Sequence, residues 1–415
     1  MNGTEKLLVI AVLTALLAGR GGYRLLGFEA SAIPTVMLIF SGVLLFLSWV
    51  SMRKAGAPAF NEGGRRRFTA LKMVTVFLAI QIVSALWSPL GFDPSPYILE
   101  LTAVTGLVIA IGLIAGHLPT QTLSLICKFF VVTGSLYAAL GLMSGSAGDR
   151  LQVLGSGPNV VVRVLSLAVF SIVYLVASRK WSPWAAILMG PLIAGIVLTQ
   201  SRGGALAFAM SFLALAALLL THRESYRPLL LASVSTLATL VLAGVLLPLA
   251  RTRIGEIIAG RYFELTIVQG YTSGRDVLYE RAVDLFLTSP LFGVGLGGFV
   301  AQDTRGLYSH NVLLTVATTS GVLGLVLLTL VLFYAGRSML RKCRVSLDAL
   351  ALLIMTSYLF LASQFSGDLY DARFLWVLLV LSTPICCRAI NLDRGGCPGG
   401  RPQGVRSTGL KQGVG

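Results

Sequence analysis

His310 lies in the stretch YSHNVLL, from Tyr308 to Leu314, and is one of 3 histidines in 415 residues. A long polar interval ends there and an apolar run begins, with Ser309 and Asn311 on either side of the imidazole. A neutral imidazole at such a boundary can take a proton from a hydroxyl near neutral pH, the work of a general base. The position also suits a helix-capping or interfacial histidine. Two arginines earlier in the chain offer complementary chemistry. Arg202, in QSRGGALAF, sits at the junction of two apolar runs. The glycines after it, Gly203 and Gly204, permit close backbone approach and leave amides open near a helix start, a favourable place for phosphate. An arginine snorkelling at a helix end gives the same pattern. Arg275, in TSGRDVLYE, follows Ser273 and Gly274. Its planar fork of donors matches phosphate oxygens better than the point charge of lysine, and a plain surface arginine is the alternative. Arg150 and Gln152, in GDRLQVLGSGPN, precede another apolar run, and Arg163 lies a short way into that run and needs a partner. Asp368 and Asp371, in SGDLYDAR, either orient an acceptor or pair with Arg373.

The elements that must position these side chains are apolar helices. The chain is 55% hydrophobic and 12% charged, with mean hydropathy +0.83. Repeated apolar runs of about 20 residues mean a polytopic helical membrane protein. Because the runs are continuous rather than alternating, a β-barrel does not fit. The apolar stretch Leu7 to Ala18 lacks a following small-residue cleavage pattern, so it reads as a short first helix, not a cleaved leader.

About twelve spans are expected. They run Leu7 to Ala18, Ile33 to Met52, Phe68 to Trp87, Ile98 to Gly116, Thr122 to Leu142 and Val160 to Ser178. Trp184 to Thr199, Ala205 to Leu220, Leu229 to Leu249, Val312 to Ala335, Leu350 to Ser363 and Phe374 to Cys387 complete the set. Basic residues alternate between two sets of loops. One set holds Arg53, Lys54 and Arg65 to Arg67, then Arg179 and Lys180, Arg223 and Arg227, Arg337, Arg341, Lys342 and Arg344, and the tail from Arg388. The positive-inside rule puts that set, and both termini, in the cytoplasm. The outer set carries arginine without lysine, and Trp49, Trp87, Trp181, Trp184 and Trp376 fall near span ends as an aromatic belt requires. The net charge of +16 is therefore loop charge and possible contact with anionic lipid or phosphate, and a nucleic-acid partner is excluded.

A single membrane domain, 1–390, is expected, with a tail, 391–415, rich in Gly, Arg and Pro and read as disordered. One outer segment, 251–309 between the ninth and tenth spans, is about 60 residues long, too long for a plain connection. Ile254, Ile257, Ile258 and Tyr262 recur at helical spacing, as do Leu278, Ala282, Leu285 and Phe286, which predicts two short amphipathic helices on the membrane surface. The glycine-rich turn PLFGVGLGGF, Pro290 to Phe299, follows. It lacks the preceding strand of a dinucleotide-binding loop. No HExxH, GxSxG or P-loop is present. The five cysteines, Cys127, Cys343, Cys386, Cys387 and Cys397, have no metal-ligand spacing and fall on the cytoplasmic side, so reduced structural roles are expected. No metal or cofactor is expected.

Taken in order, the RL…G…PN loop of Arg150 to Asn159, the SRGG of Ser201 to Gly204, the SGR of Ser273 to Arg275, the turn from Pro290 and the SHN of Ser309 to Asn311 resemble the O-antigen ligase and polymerase superfamily of bacterial integral membrane proteins. The resemblance implies a GT-C-like membrane glycosyltransferase of the bacterial inner membrane, with its active site on the periplasmic face. In the ligase branch the donor is a glycan on undecaprenyl pyrophosphate, and the acceptor is a sugar hydroxyl of the lipid A core. His310 matches the family's catalytic histidine, and Arg202 and Arg275 match its pyrophosphate-engaging arginines. Arg150 matches a donor-side position, and Asp368 is the nearest candidate for a late acidic residue. Gln152, Arg163 and Asn311 join the substrate-binding candidates.

Three readings remain at this level. A ligase and a polymerase share the donor, and the motifs do not separate them. A transporter or flippase would carry ionisable residues deep in several spans. Here they cluster at span ends.

Overall fold

The computed structural model describes residues 68–117, 119–143, 150–153, 156–222, 274–303 and 306–393, together with isolated positions between 6 and 50 and between 256 and 264. Eleven helices lie in the continuous stretches, and among the described residues there is no strand, only an isolated bridge between Val153 and Ser156. They are α1 (Thr69–Val83, extended by a 3-10 turn Ser84–Trp87), α2 (Ser95–His117), α3 (Pro119–Met143), α4 (Pro158–Ala177), α5 (Met189–Leu198, preceded by a 3-10 turn Pro183–Leu188) and α6 (Arg202–His222). After them come α7 (Arg275–Thr288), α8 (Gly298–Gln302), α9 (Val312–Lys342), α10 (Leu347–Ala362) and α11 (Arg373–Asp393). Five helices are long and apolar enough to cross a membrane: Thr69–Trp87, Ser95–Gly116, Pro119–Met143, Pro158–Ala177 and Val312–Lys342.

Two helices form the centre. From Val161 to Ala177 every residue of α4 is buried, among α3, α5, α6 and α10. On α11 the run Phe374 to Cys386 is buried, packed on α1, α2, α9 and α10. A helix that is apolar all round has no polar face to offer water, so both belong inside the bundle. Aromatic side chains fill their contacts: Phe77 lies 5.3 Å from Trp376, and Phe170 5.6 Å from Tyr358, between ring centroids.

Most expected spans appear within a few residues of their predicted limits. One differs. The run Trp184 to Thr199 begins as a 3-10 turn, and only Met189–Leu198 is α-helical. Pro191 is the third residue of that helix, a first-turn position where its missing N–H costs no intrahelical bond, and it leaves the carbonyl of Ile187 without an α-helical donor, so the ladder starts at Met189. Ten α-helical residues span about 15 Å, half the roughly 30 Å of a bilayer core. The last helix also runs to Asp393, three residues into the expected tail. The predicted spans Leu7 to Ala18, Ile33 to Met52 and Leu229 to Leu249, and the tail after Asp393, lie almost wholly outside the described residues.

The longest helix, α9, is broken at Gly321, which has φ 62° and ψ −152°. That region of backbone space is essentially restricted to glycine. The break is filled by the glycine-rich turn. Val294 and Gly295 donate to the carbonyls of Thr318 and Thr319 (2.7 and 3.1 Å), and the amides of Val322 and Leu323 donate to Pro290 and Leu291 (2.8 and 3.3 Å). Backbone polar groups freed inside an apolar environment must find partners, and the turn supplies all four. A Cβ on Gly293 would come 2.5 Å from the Thr318 carbonyl oxygen, and one on Gly321 2.5 Å from Leu291. The glycines of PLFGVG thus serve main-chain contact with α9.

Candidate functional site

His310 precedes α9 by two residues. Its backbone is left-handed, φ 55°, a conformation uncommon outside glycine and costing on the order of 1–3 kcal/mol. The neighbours hold it there. Asn311 caps α9, its Oδ1 accepting from the amides of Leu313 (2.9 Å) and Leu314 (3.1 Å). Its Nδ2 donates to the carbonyl of Gln364 (3.1 Å). Ser309 is buried and bonds to Thr315. With both anchors fixed, the residue between them projects its ring in one direction. The imidazole packs on Tyr308, with centroids 4.1 Å apart, and its Nδ1 is buried without a hydrogen-bond partner among the described residues.

Charge surrounds the ring. Burial pushes the His310 pKa below its ordinary value, and the positive charge of Arg275 pushes the same way, while Asp371 and Asp368 oppose them. The result is an imidazole kept neutral, able to accept a proton near pH 7. Arg275 is the first residue of α7, behind Gly274 in a left-handed conformation (φ 73°). The predicted apolar face of this helix is confirmed at Leu278, Ala282 and Leu285, which are buried and pack with Phe299. One turn on, Tyr279 donates to the Gln364 carbonyl (3.0 Å). That carbonyl therefore ties α7 and the SHN segment to the end of α10.

The turn after α10, SQFS from Ser363 to Ser366, meets the SHN segment, α7 and the SRGG turn. Val312 donates to the carbonyl of Ser363 (3.0 Å). A Cβ on Gly203 would meet Phe365 at 2.2 Å, and one on Gly204 would meet Val162 at 2.4 Å. The SRGG glycines allow α6 to start tight against this turn and α4, with Arg202, partly exposed, as its first residue. Ser201 donates to Oδ1 of Asn159 (2.7 Å), and Arg150 donates to the carbonyl of Gln200 (3.1 Å). Arg150 is thus brought to the Arg202 corner, braced by Leu151 on the carbonyl of Leu198 (3.0 Å). Gln152 is exposed.

Arg163 has a structural occupation. It is 3% exposed, and its guanidinium donates to the carbonyls of Asp371 (3.0 Å) and Ser366. The partner that the sequence demanded is the backbone of the SGDLYDAR loop. In that loop Asp368 accepts from the amide of Asp371 (2.8 Å), and Asp371 lies 3.6 Å from Arg373. The expected pairing with Arg373 falls to Asp371. The other oxygen of Asp371 accepts from the hydroxyl of Tyr308 (3.3 Å).

Beside Tyr308 and Asp368 opens a cavity of about 470 Å³, with Tyr97, Glu100, Phe299 and Tyr370 among its walls. Neither His310, Arg202 nor Arg275 lines it. Its hydroxyls, carboxylates and aromatic rings suit a polyhydroxyl ligand better than a phosphate. Sequence reading passed over Tyr308, Tyr279, Gln364 and Glu100. Tyr308 stood inside the flagged stretch; the other three carry no motif.

The geometry can now be set beside known proteins. The family model Wzy_C, described as O-Antigen ligase, matches residues 184–329. That stretch contains Arg202, Arg275 and His310, and it is similar to the O-antigen ligase family there. No curated protein matches the chain.

Proposed function

We propose that this chain is an O-antigen ligase: it transfers a glycan from undecaprenyl pyrophosphate to a sugar hydroxyl of the lipid A core, on the periplasmic face of the bacterial inner membrane. The observation that carries the reading is His310, held in a left-handed backbone with a buried ring nitrogen that has no partner among the described residues, under the opposed influence of Arg275 and of Asp371 and Asp368. In the reaction, the acceptor oxygen attacks the anomeric carbon as its proton passes to the His310 imidazole. The bond from that carbon to the phosphate oxygen breaks on the opposite face, so the anomeric configuration inverts. Arg202 and Arg275 take up the charge that grows on the departing pyrophosphate, as preorganised donors do in other group transfers. Arg150, at the Arg202 corner, assists on the donor side. The cavity beside Asp368 and Tyr308 takes the acceptor sugar. Pyrophosphate is an activated leaving group, so neither nucleotide nor metal is required.

A polymerase using the same donor is the alternative, and it differs only in the acceptor. The deciding experiment incubates purified protein with lipid-linked glycan and either lipid A core or more lipid-linked glycan. Transfer to core supports the ligase, and chain growth alone overturns it in favour of the polymerase. Transfer by a folded His310→Ala protein at the wild-type rate removes the general base; the expected loss is about 10²–10⁴-fold. A transporter would move the lipid-linked glycan across a bilayer and form no new glycosidic bond.

A further inference from the structure

At the end of the bundle away from His310, α3 begins, α4 ends and α10 begins. The 20 residues of α4 put this end roughly 30 Å from the Arg202 corner. Here a recess of about 290 Å³ is lined by Lys6, Lys128, Lys180, Thr120, Gln121 and Ser124. The side chains of three lysines, Ser124 and Gln121 are among its lining, and among the described residues no carboxylate lines it. The Asp348 carboxylate is engaged nearby: it accepts from Tyr174 (2.7 Å) and from Thr120 (3.1 Å), and Tyr174 in turn accepts from Lys180 Nζ (2.7 Å). Partial burial lowers the pKa of Lys180; Asp348 opposes that, and the ammonium of Lys128 adds to it. Lys128 and Lys180 therefore repel each other across the recess, an arrangement that an anion between them would relieve. Thr120 and Gln121 stand in the first turn of a 25-residue helix, whose open amides add donors and a positive dipole end.

We infer that this recess binds a phosphate group, supplied by an anionic phospholipid headgroup or by a soluble phosphate ester. Its volume suits a headgroup-sized ligand, and the Ser124 hydroxyl and the Gln121 amide offer donors beside the lysine charge. The inference does not depend on the transfer reaction, because no residue proposed for that reaction lies at this end.

The test uses the full chain in neutral detergent and follows its thermal midpoint. Short-chain phosphatidylglycerol, phosphatidylcholine and inorganic phosphate are titrated separately, with chloride matched for ionic strength. A saturable rise is expected with phosphatidylglycerol, with phosphate or with both, and none with phosphatidylcholine or chloride. A response to the lipid alone identifies the headgroup as the source; a response to phosphate alone identifies a soluble ester. Lys128→Gln is expected to weaken the response about fivefold, Lys6→Gln/Lys128→Gln more, and Lys128→Arg little. Both lysines are exposed, so the variants should melt like wild type without ligand. No saturable response to either phosphate source, or the same response from the double variant, overturns the inference. His310→Ala serves as a control that leaves the response intact.

Discussion

The ring of Tyr308 lies against the imidazole of His310, centroids 4.1 Å apart, while its hydroxyl reaches Oδ2 of Asp371 at 3.3 Å. One side chain thus sets the plane of the proposed base and connects it to the acidic loop after α10. Asp371 also faces Arg373 at 3.6 Å, so the carboxylate is held between a hydroxyl and a cation. The histidine is oriented by its tilted contact with the Tyr308 ring and by its strained backbone, and among the described residues no acid bonds to Nδ1. That leaves its environment, more than a single partner, to set its proton affinity.

The pH dependence follows from that environment. Burial and then Arg275 lower the folded-state pKa of His310, and the base works only when neutral. The acid limb of kcat/KM is therefore expected below 6.5, the ordinary value. Arg275→Gln removes one of the two lowering influences, so the limb should move up toward 6.5 while activity above it also falls. The same sign applies to stability: an unfolded chain binds a proton at His310 more readily, so stability from this group is full above 6.5 and is lost as pH falls toward the folded pKa. An acid limb that ignores Arg275→Gln would show that the two residues do not sense each other.

Arg163 is expected to behave as a structural brace. Its two charge-assisted bonds to buried carbonyls are worth about 1.5–3 kcal/mol each. Arg163→Met should lower the thermal midpoint in detergent by several degrees and speed amide exchange across 366–371. Arg163→Lys should recover only part of this, since one ammonium cannot reproduce the fork. If Arg163→Met instead melted like wild type and lost donor affinity alone, the residue would belong among the substrate-binding groups where the sequence put it.

Gly321→Ala combines a forbidden backbone with a clash, the new Cβ 2.5 Å from Leu291. A cost of at least about 1–3 kcal/mol is expected from the backbone alone. The glycine turn should undock, and α7 with it. Limited proteolysis between 290 and 300, compared with wild type, reads this directly. Unchanged cleavage with unchanged activity would mean that the turn is held by something other than α9.

How much of this was legible in the sequence differs by element. Long apolar runs announced α1 to α4, α6 and α9 to α11, because in lipid composition alone dictates a helix. The leucine and alanine spacing of α7 announced its buried face. The run from Trp184 misled, because its apolar composition hid the effect of Pro191 on the α-helical ladder. At the site, His310, Arg275 and Arg202 were visible as polar groups at helix starts. The packing role of Gly203 and Gly204 was not: beside the phosphate approach expected from the sequence, both admit neighbouring side chains, Phe365 and Val162. Gln364 was invisible, since it acts through a backbone carbonyl, which every residue possesses. The partner of Arg163 was hidden for the same reason.

The seating of the glycine turn in the break of α9 relies on four bonds between main-chain atoms. Such a joint is blind to most side-chain chemistry and acutely sensitive to spacing. Exposed positions such as Leu291 and Phe292 can change type without loosening it, whereas deleting either residue between Leu291 and Val294 would put the bonds at Val294 and Gly295 out of step with those at Pro290 and Leu291. The surface helix that carries Arg275 can therefore alter its outward face, and with it what it meets outside the bundle, while its distance to His310 stays fixed by a count of residues.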